Sequence, residues 1–230
     1  MSRSHSKNRC GRCSLYGPLC ICALSPNLAL ATRVVVLMHV RELSLTTNTA
    51  RLACMALKNS EMRYRGERGK VLDCSDLKES ETHLPLLLFP SDDAQVLSAE
   101  WLSTWMKPGQ KVSLIVPDGN WRQCGKVANR VPGLESITRV KLPPGALSEY
   151  RLRQEPRPEC LCTYEAIERA LGIFEGKGIE EKLHHFFRLK QDRTLWSRGV
   201  LKTDQVLGGV PQAAIDSFKT HLLHQTSEQN

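Results

Sequence analysis

The chain has 230 residues, of which 41% are hydrophobic, so it can bury the core of one α/β domain and is not mostly disordered. Its apolar runs all fall short of the roughly 18 residues that a transmembrane helix needs. The net charge is +8, and residues 1–70 carry this excess with 12 Lys/Arg against 3 Asp/Glu. This favours a phosphate-rich partner, although a face kept soluble by charge has the same composition.

Four cysteines lie close together near the start of the chain, in the pattern C-x2-C-x6-C-x-C. The basic residues before them are not followed by an apolar stretch, so we expect no secretory signal, a cytoplasmic location and reduced thiols. Two close pairs around a Gly-Pro turn can surround one ion, and zinc favours four thiolates. The pattern predicts a zinc site, with disulfides or four unrelated thiols as the alternative. The expected ligands are Cys10, Cys13, Cys20 and Cys22, with Arg12 beside them as an RNA contact.

Strand-like and helix-like segments alternate along the rest of the chain. Short apolar or β-branched runs are typical of buried strands, and helical spacing marks the segments between them. This alternation predicts an α/β fold with a mostly parallel sheet and helices on both faces. The predicted strands are 31–40, 84–91, 111–117 and 136–144. The predicted helices are 46–60 with Thr47 or Asn48 as N-cap, 94–106, 121–131, 163–174 with Thr163 as N-cap, 179–199 and 211–225.

These elements predict one main domain with two additions. We expect a zinc-binding cysteine segment at 1–30, a catalytic domain at 31–175, and a helical extension at 176–230 that packs on the same domain. His184 and His185 have no partner acid or nucleophile in register, so we interpret them as packing or surface histidines.

Three predicted strands end in unusual residues, namely FPS at 89–91, PDGNW at 117–121 and LPP at 142–144. In an open parallel sheet, ligands bind beyond these carboxyl ends, where the loops converge. Gly119 allows a positive φ or a close approach to a ligand, and Trp121 offers a flat apolar surface. Asp118 could accept a proton or orient an amine or hydroxyl. An ordinary Asp-Gly turn with Trp121 in the core is the alternative.

A basic and aromatic segment precedes the predicted helix at 163–174. Tyr150, Arg151 and Arg153 suit phosphate and base contacts, although a solvated loop has similar composition. The chain contains neither G-x-x-x-x-G-K-[ST] nor G-x-G-x-x-G after a strand, so these two nucleotide-binding motifs are excluded.

The segment PDGNWRQCGK at 117–126 resembles the D-x-T-W signature of the DTW-domain family, the tRNA-uridine aminocarboxypropyltransferases. Asn120 stands where the family usually has threonine, and it keeps a short hydrogen-bonding side chain. Further blocks between residues 10 and 171 resemble the family in the same order. They are the cysteine cluster, TTNTARLA at 46–53, LLFPS at 87–91, YRLR at 150–153 and LCTYEAIERAL at 161–171.

This resemblance implies a knotted, SPOUT-like fold that binds S-adenosylmethionine among the strand-end loops. It implies transfer of the 3-amino-3-carboxypropyl group to N3 of a tRNA uridine, with release of methylthioadenosine. Uridine N3 carries a proton at neutral pH, and we expect Asp118 to remove it or else to hold the cofactor's amino group. The expected cofactor-binding residues are Phe89, Pro90, Ser91, Pro117, Gly119, Trp121, Leu142, Cys162, Thr163 and Glu165. The expected tRNA-binding residues are Arg12, Asn48, Arg51, Arg122, Tyr150, Arg151 and Arg153.

Two other functions stay open from the residues alone. A SPOUT-type RNA methyltransferase would need the same cofactor, a similar strand-end pocket and a similar basic face. A non-catalytic, zinc-dependent RNA-binding module would account for the cysteines and the basic N-terminal third. None of these functions predicts a membrane or a protein partner.

Overall fold

The computed structural model describes residues 8–153, 157 and 159–218. The described residues fall into two compact units, Pro26–His184 and a second unit that combines 8–25 with 185–218. The helix predicted at 211–225 is described as helical over 212–218, and the remainder of that prediction lies outside the described residues.

The unit Pro26–His184 is built on a six-stranded sheet. Its strands are β1 Arg33–His39, β2 Ser60–Arg65, β3 His83–Leu88, β4 Gln95–Val96, β5 Lys111–Asp118 and β6 Thr138–Lys141. They lie in the order β2-β1-β5-β3-β6-β4, and every adjacent pair is parallel. The predicted α/β class with a parallel sheet is therefore confirmed.

The central strands form the core of this sheet. Val34 to Met38 in β1 are all 0% exposed, and β5 is buried from Val112 to Asp118. Since successive side chains point to opposite faces, a strand buried at every position is covered on both sides. The continuous apolar runs at 31–40, 84–91 and 111–117 reflect this burial. All four predicted strands are confirmed, including the partly buried one at 136–144.

Two strands were not predicted, and both replace ends of predicted helices. β2 is an edge strand that is half-exposed along most of its length, so it lacks an apolar run. The helix predicted at 46–60 is wrong beyond residue 56, because Leu57 is extended and Ser60 pairs with Val34 in β1. The helix predicted at 94–106 is wrong at its start, because residues 95–96 form β4 against β6.

The helices of this unit are α1 Ala50–Ala56, α2 Ala99–Trp105, α3 Trp121–Cys124, α4 Val127–Arg130 and α5 Thr163–Glu175. The segment 121–131, predicted as one helix, is interrupted at Gly125 and Lys126. Two predicted N-caps are displaced by one residue. Thr49 holds the cap position of α1 instead of Thr47 or Asn48, and Cys162 holds that of α5 instead of Thr163.

The last long helix is α6 Lys177–Ser197. From His185 onwards its residues belong to the second unit. His184 is half-buried, with Nδ1 3.1 Å from Oε1 of Glu168, and His185 is exposed. Among the described residues, no helix is both long and apolar enough to cross a membrane.

Candidate active site

A cavity of about 680 Å³ opens at the carboxyl edge of the sheet. Because parallel strands end at the same edge, the ends of β3, β5 and β6 all line this cavity. All three strand ends singled out in the sequence reach it. From them the cavity is lined by Phe89, Pro90, Pro117, Asp118, Gly119, Asn120, Trp121, Leu142, Pro143 and Pro144, and the start of α5 adds Leu161, Cys162 and Thr163.

Asp118 lies at the end of β5 and holds three elements together. Its side chain is 4% exposed. Asn48, just before α1, donates from Nδ2 to Oδ2 at 2.7 Å, and Thr163, the first residue of α5, donates from Oγ1 to Oδ1 at 2.6 Å. Burial raises the pKa of the Asp118 carboxyl above its ordinary value, and these two hydrogen bonds partly offset that effect. The result is a fixed carboxyl group with an elevated proton affinity on the cavity wall.

The turn after Asp118 is set by Gly119 and Asn120. Gly119 has φ +151°, and a Cβ atom there would lie 2.8 Å from Oε1 of Gln123. Asn120 caps α3, because its Oδ1 accepts the Gln123 N–H at 2.9 Å and the Gln123 side chain accepts the Asn120 N–H at 2.9 Å. Asparagine and threonine are both good N-caps, so Asn120 can fill the capping role of the usual threonine. The capped turn presents Trp121 to the cavity, where its ring centroid lies 6.0 Å from that of Phe89.

Three of the residues predicted to bind RNA also line this cavity, and they are bonded within the protein. Asn48 holds Asp118, as described. Tyr150 is 8% exposed, and its hydroxyl donates to the Thr47 carbonyl. Arg153 donates to Thr47 Oγ1 at 2.8 Å and forms an ion pair of 3.0 Å with Glu42. These contacts make all three part of the polar side of the cavity.

Two predicted cofactor contacts lie outside the described cavity wall. Glu165 is 2% exposed and accepts hydrogen bonds from the Ser148 hydroxyl and from the backbone N–H groups of Glu149 and Cys162. It therefore fixes the 148–150 segment to the start of α5. Ser91 follows the end of β3, and its hydroxyl is buried with no hydrogen-bond partner among the described residues.

The other predicted RNA contacts are spread over the surface. The Arg51 guanidinium donates to the Leu43 carbonyl at 2.5 Å. Arg122 and Arg151 are exposed in the unit Pro26–His184, and Arg12 is exposed in the second unit. Arg51, Arg122 and Arg151 do not line the cavity.

The second unit brings its four cysteines together. One sulfur from each of Cys10, Cys13, Cys20 and Cys22 lies within 4.8 Å of the other three. None of the four forms a disulfide. Backbone hydrogen bonding at Cys13 lowers the pKa of Cys10 to about 6, against an opposing effect of burial. Four close sulfurs with one already inclined to ionise form a donor set that fits a tetrahedral metal ion such as zinc.

Two buried cations of α6 lie beside this cysteine cluster. Lys190 is 7% exposed and donates from Nζ to the Cys13 carbonyl. Arg193 is 5% exposed and donates to the carbonyls of Leu19 and Cys20 at 3.2 and 3.1 Å. Burial lowers the pKa of Lys190 to about 8, and the nearby sulfurs oppose that effect. Four thiolates around a divalent ion carry a net charge of about −2, which these two cations would balance.

Comparisons with known proteins agree with the resemblance in the sequence. The family model described as DTW domain matches residues 7–195. tRNA-uridine aminocarboxypropyltransferase 2 of Drosophila melanogaster is 27% identical over 74% of this chain and 68% of its own length. Its counterpart in Mus musculus is 28% identical over 78% of this chain and 61% of its own. tRNA-uridine aminocarboxypropyltransferase A of Arabidopsis thaliana is 27% identical over 78% of both chains. No solved structure matches the chain significantly.

Proposed function

Because the chain belongs to the DTW domain family, we propose that it is a tRNA-uridine aminocarboxypropyltransferase. It would transfer the 3-amino-3-carboxypropyl group of S-adenosylmethionine to N3 of a tRNA uridine and release methylthioadenosine. The single observation that carries this proposal is the buried carboxyl of Asp118, placed on the wall of a large cavity by the family's own signature segment.

The cavity fits a nucleoside cofactor together with a reacting base. Its volume of about 680 Å³ lies within the range of small-molecule sites. Phe89, Trp121 and Leu142 supply apolar surface for an adenosine, and Asp118 and Arg153 supply charge at the polar side. S-adenosylmethionine brings an electrophilic methylene carbon next to a sulfonium, which makes the aminocarboxypropyl group transferable.

Asp118 would act as the general base. Its carboxylate accepts the N3 proton of the uridine while N3 forms a bond to the methylene carbon. The electron pair of the broken carbon–sulfur bond stays on sulfur, which becomes a neutral thioether. An elevated pKa makes Asp118 a stronger base than an exposed aspartate. The bonds from Asn48 and Thr163 fix the carboxylate before the substrate arrives.

The proposed activity also suggests a metal, a set of tRNA contacts and a cellular compartment. Zinc held by the cysteine cluster would have a structural role, since all four positions of a tetrahedron are taken by sulfur. We assign tRNA contacts to Arg51, Arg122 and Arg151 on the surface of the unit Pro26–His184 and to Arg12 beside the cysteines. The nine free cysteines suit a reducing compartment, and we propose the cytoplasm.

The test is nucleoside mass spectrometry of an unmodified tRNA transcript after incubation with the purified protein and S-adenosylmethionine. We expect a uridine that carries the aminocarboxypropyl group, and methylthioadenosine in equal amount. A methyl adduct would instead place the protein among the RNA methyltransferases. Tight tRNA binding without any product would favour a non-catalytic RNA-binding module.

A further inference from the structure

Two arginines and a histidine lie at the carboxyl edge of the sheet, on the side of the Asp118 turn where β1 and β2 end. His39 is the last residue of β1 and Arg65 the last of β2, and the two are paired in the sheet register. Met38, one residue before His39, is paired with Asp118 of β5. Arg41 lies two residues after the end of β1 and is exposed. These three residues, His39, Arg41 and Arg65, are called the basic edge.

Arg65 reaches from β2 across β1 to the turn that carries the acid. Its Nη2 donates to the backbone carbonyl of Asp118 at 3.3 Å, and its Nε donates to the Leu37 carbonyl at 3.4 Å. The same Nη2 lies 3.3 Å from the position that a Cβ atom would take on Gly119. Both hydrogen bonds are long, so they occupy the guanidinium only weakly. The side chain is half-buried and retains N–H groups for another acceptor.

The shape of the basic edge is fixed by backbone contacts. The Arg41 backbone N–H donates to Nδ1 of His39 at 3.2 Å. The other side of the imidazole lies against Gly66, which has φ +83° and where a Cβ atom would meet His39 Nε2 at 2.6 Å. The imidazole is therefore packed between the segment after β1 and the segment after β2, and both arginines are attached to these segments.

The two arginines of the basic edge have no ion-paired acid in the described part of the chain, although the Asp118 carboxylate acts electrostatically on Arg65 from beyond ion-pair distance. Within the described residues, no carboxylate lies within ion-pair distance of Arg41 or Arg65, whereas Arg63 on the same strand pairs with both Glu61 and Asp76. Glu42, whose charge acts to raise the pKa of His39, is itself paired with Arg153. Burial lowers the pKa of the His39 imidazole, and the charges of Arg65 and Arg41 lower it further. Two arginine charges held close together without an ion-pair partner create a positive potential that favours an anion.

We propose that Arg41 and Arg65 bind a backbone phosphate of the RNA next to the nucleotide that enters the cavity. This rests on the proposed function. A base can reach Asp118 only if its own backbone stays at the rim, and the basic edge adjoins the turn that carries Asp118. Planar guanidinium groups match phosphate oxygens in paired hydrogen bonds. Phosphate contacts fix the register of the nucleic acid, which here would present the uridine to the carboxylate.

The experiment measures binding of an unmodified tRNA transcript by fluorescence anisotropy at several KCl concentrations. Arg41→Gln and Arg65→Gln are compared with Lys111→Gln, which removes an exposed charge from the opposite end of β5. The slope of log K against log salt is negative, and each lost phosphate contact makes it less steep by about 0.7–0.9. Because both arginines hold the same phosphate, we expect this full change for the double variant, a smaller change for each single arginine variant, and none for Lys111→Gln. Thermal unfolding checks that each variant is folded, and Arg41→Gln remains informative if Arg65→Gln is not.

The outcomes separate this proposal from the proposed function. If the wild-type protein forms the modified uridine but the slopes of both arginine variants equal that of Lys111→Gln, the phosphate site is wrong and the function stands. If the slopes of the arginine variants become less steep as expected but no modified uridine forms, the phosphate site stands and the function is wrong. A loss of affinity with an unchanged slope also overturns the site, because it would show a structural effect of the substitutions.

Discussion

The strand-end cavity and the cysteine cluster satisfy their polar groups in opposite ways. At the cavity, each oxygen of Asp118 receives a hydrogen bond from a neutral side chain, and Glu165 receives three from its surroundings. At the cysteine cluster, four sulfurs lie close together, and the buried Lys190 and Arg193 beside them are cations that donate to carbonyls. The first region is preorganised by the protein alone. The second supplies four sulfur donors, and we propose that a zinc ion completes it.

The largest expected effect comes from removing a metal ligand. Cys13→Ser removes one of the four sulfur ligands, so it should abolish binding of about one zinc per chain. Because apparent zinc affinities of such sites reach roughly 10–16 kcal/mol, the melting temperature should fall as well. Metal analysis and thermal unfolding measure this, with Cys54→Ser, a free cysteine of the other unit, as the control. Calorimetry should still detect binding of S-adenosylmethionine. The contrast between the regions fails if Cys13→Ser keeps its metal, or if it loses the cofactor site as well.

Asp118→Asn tests the preorganised region. It keeps the size of the side chain but removes the proton acceptor, so we expect a loss of transfer activity of about 10²–10⁴-fold. Asp92→Asn, an exposed aspartate, should have no effect. The wild-type rate should fall on acidification through a pKa above that of an ordinary aspartate, since only the carboxylate accepts the proton. Wild-type turnover by Asp118→Asn would remove the base assignment.

Glu168, in the unit that carries the cavity, is a buried carboxyl group that is not fully hydrogen-bonded, unlike Asp118 and Glu165. It is 4% exposed, and its Oε2 is buried without a partner among the described residues. Burial and the nearby Glu165 raise the pKa of its carboxyl to about 8. The folded state therefore binds this proton more tightly than the unfolded state, and the resulting stability is lost as the pH rises through about 8.

Glu168→Gln removes this ionisation and should make the protein more stable than wild type at alkaline pH, by roughly 1–3 kcal/mol. Melting temperatures of the two proteins across the pH range measure this difference. His184→Gln removes the imidazole whose Nδ1 lies 3.1 Å from Glu168 Oε1 and leaves the carboxyl in place. This variant should therefore still lose stability at alkaline pH. Equal pH profiles of wild type and Glu168→Gln would mean that the carboxyl is not destabilising.

The smallest expected effect concerns the turn itself. Gly119→Ala places a Cβ atom at φ +151° and 2.8 Å from the Gln123 oxygen that caps α3. We expect a loss of about 1 kcal/mol in the free energy of unfolding. Gly178→Ala in α6, which has open space and an ordinary φ, should instead cause no loss. Chemical denaturation measures both, and equal results would show that the turn carries no strain.

The sequence predicted β1, β3 and β5, which are buried on both faces, and the partly buried β6, but it missed β2 and β4. β1, β3 and β5 have continuous apolar runs because helices or loops cover both faces. β2, with the sequence SEMRYR, lies at the edge of the sheet and keeps polar side chains at most positions. β4 has two residues, too few for any periodicity. Burial, rather than strand propensity, therefore limited the prediction.

The site could be predicted only as far as topology brings residues together. Parallel strands end at one edge, so three unusual strand ends in the sequence were enough to locate the cavity. The bonds of Asp118 to Asn48 and Thr163 join residues 70 and 45 positions apart, and no local pattern carries that information. For the same reason Arg65 was missed, since its strand was not predicted and its partner carbonyl belongs to Asp118.

The common direction of the six strands also decides where this protein can be engineered. The exposed residues Pro108 and Gly109 precede β5, whereas Asp118 ends it. A strand of eight residues spans about 25 Å, which separates this turn from the cavity. A fluorescent reporter or an affinity tag inserted between Pro108 and Gly109 would leave the Gln110 side chain bonded to the Ser80 carbonyl. Such a fusion would give an immobilised or labelled protein whose carboxyl edge stays open to large substrates.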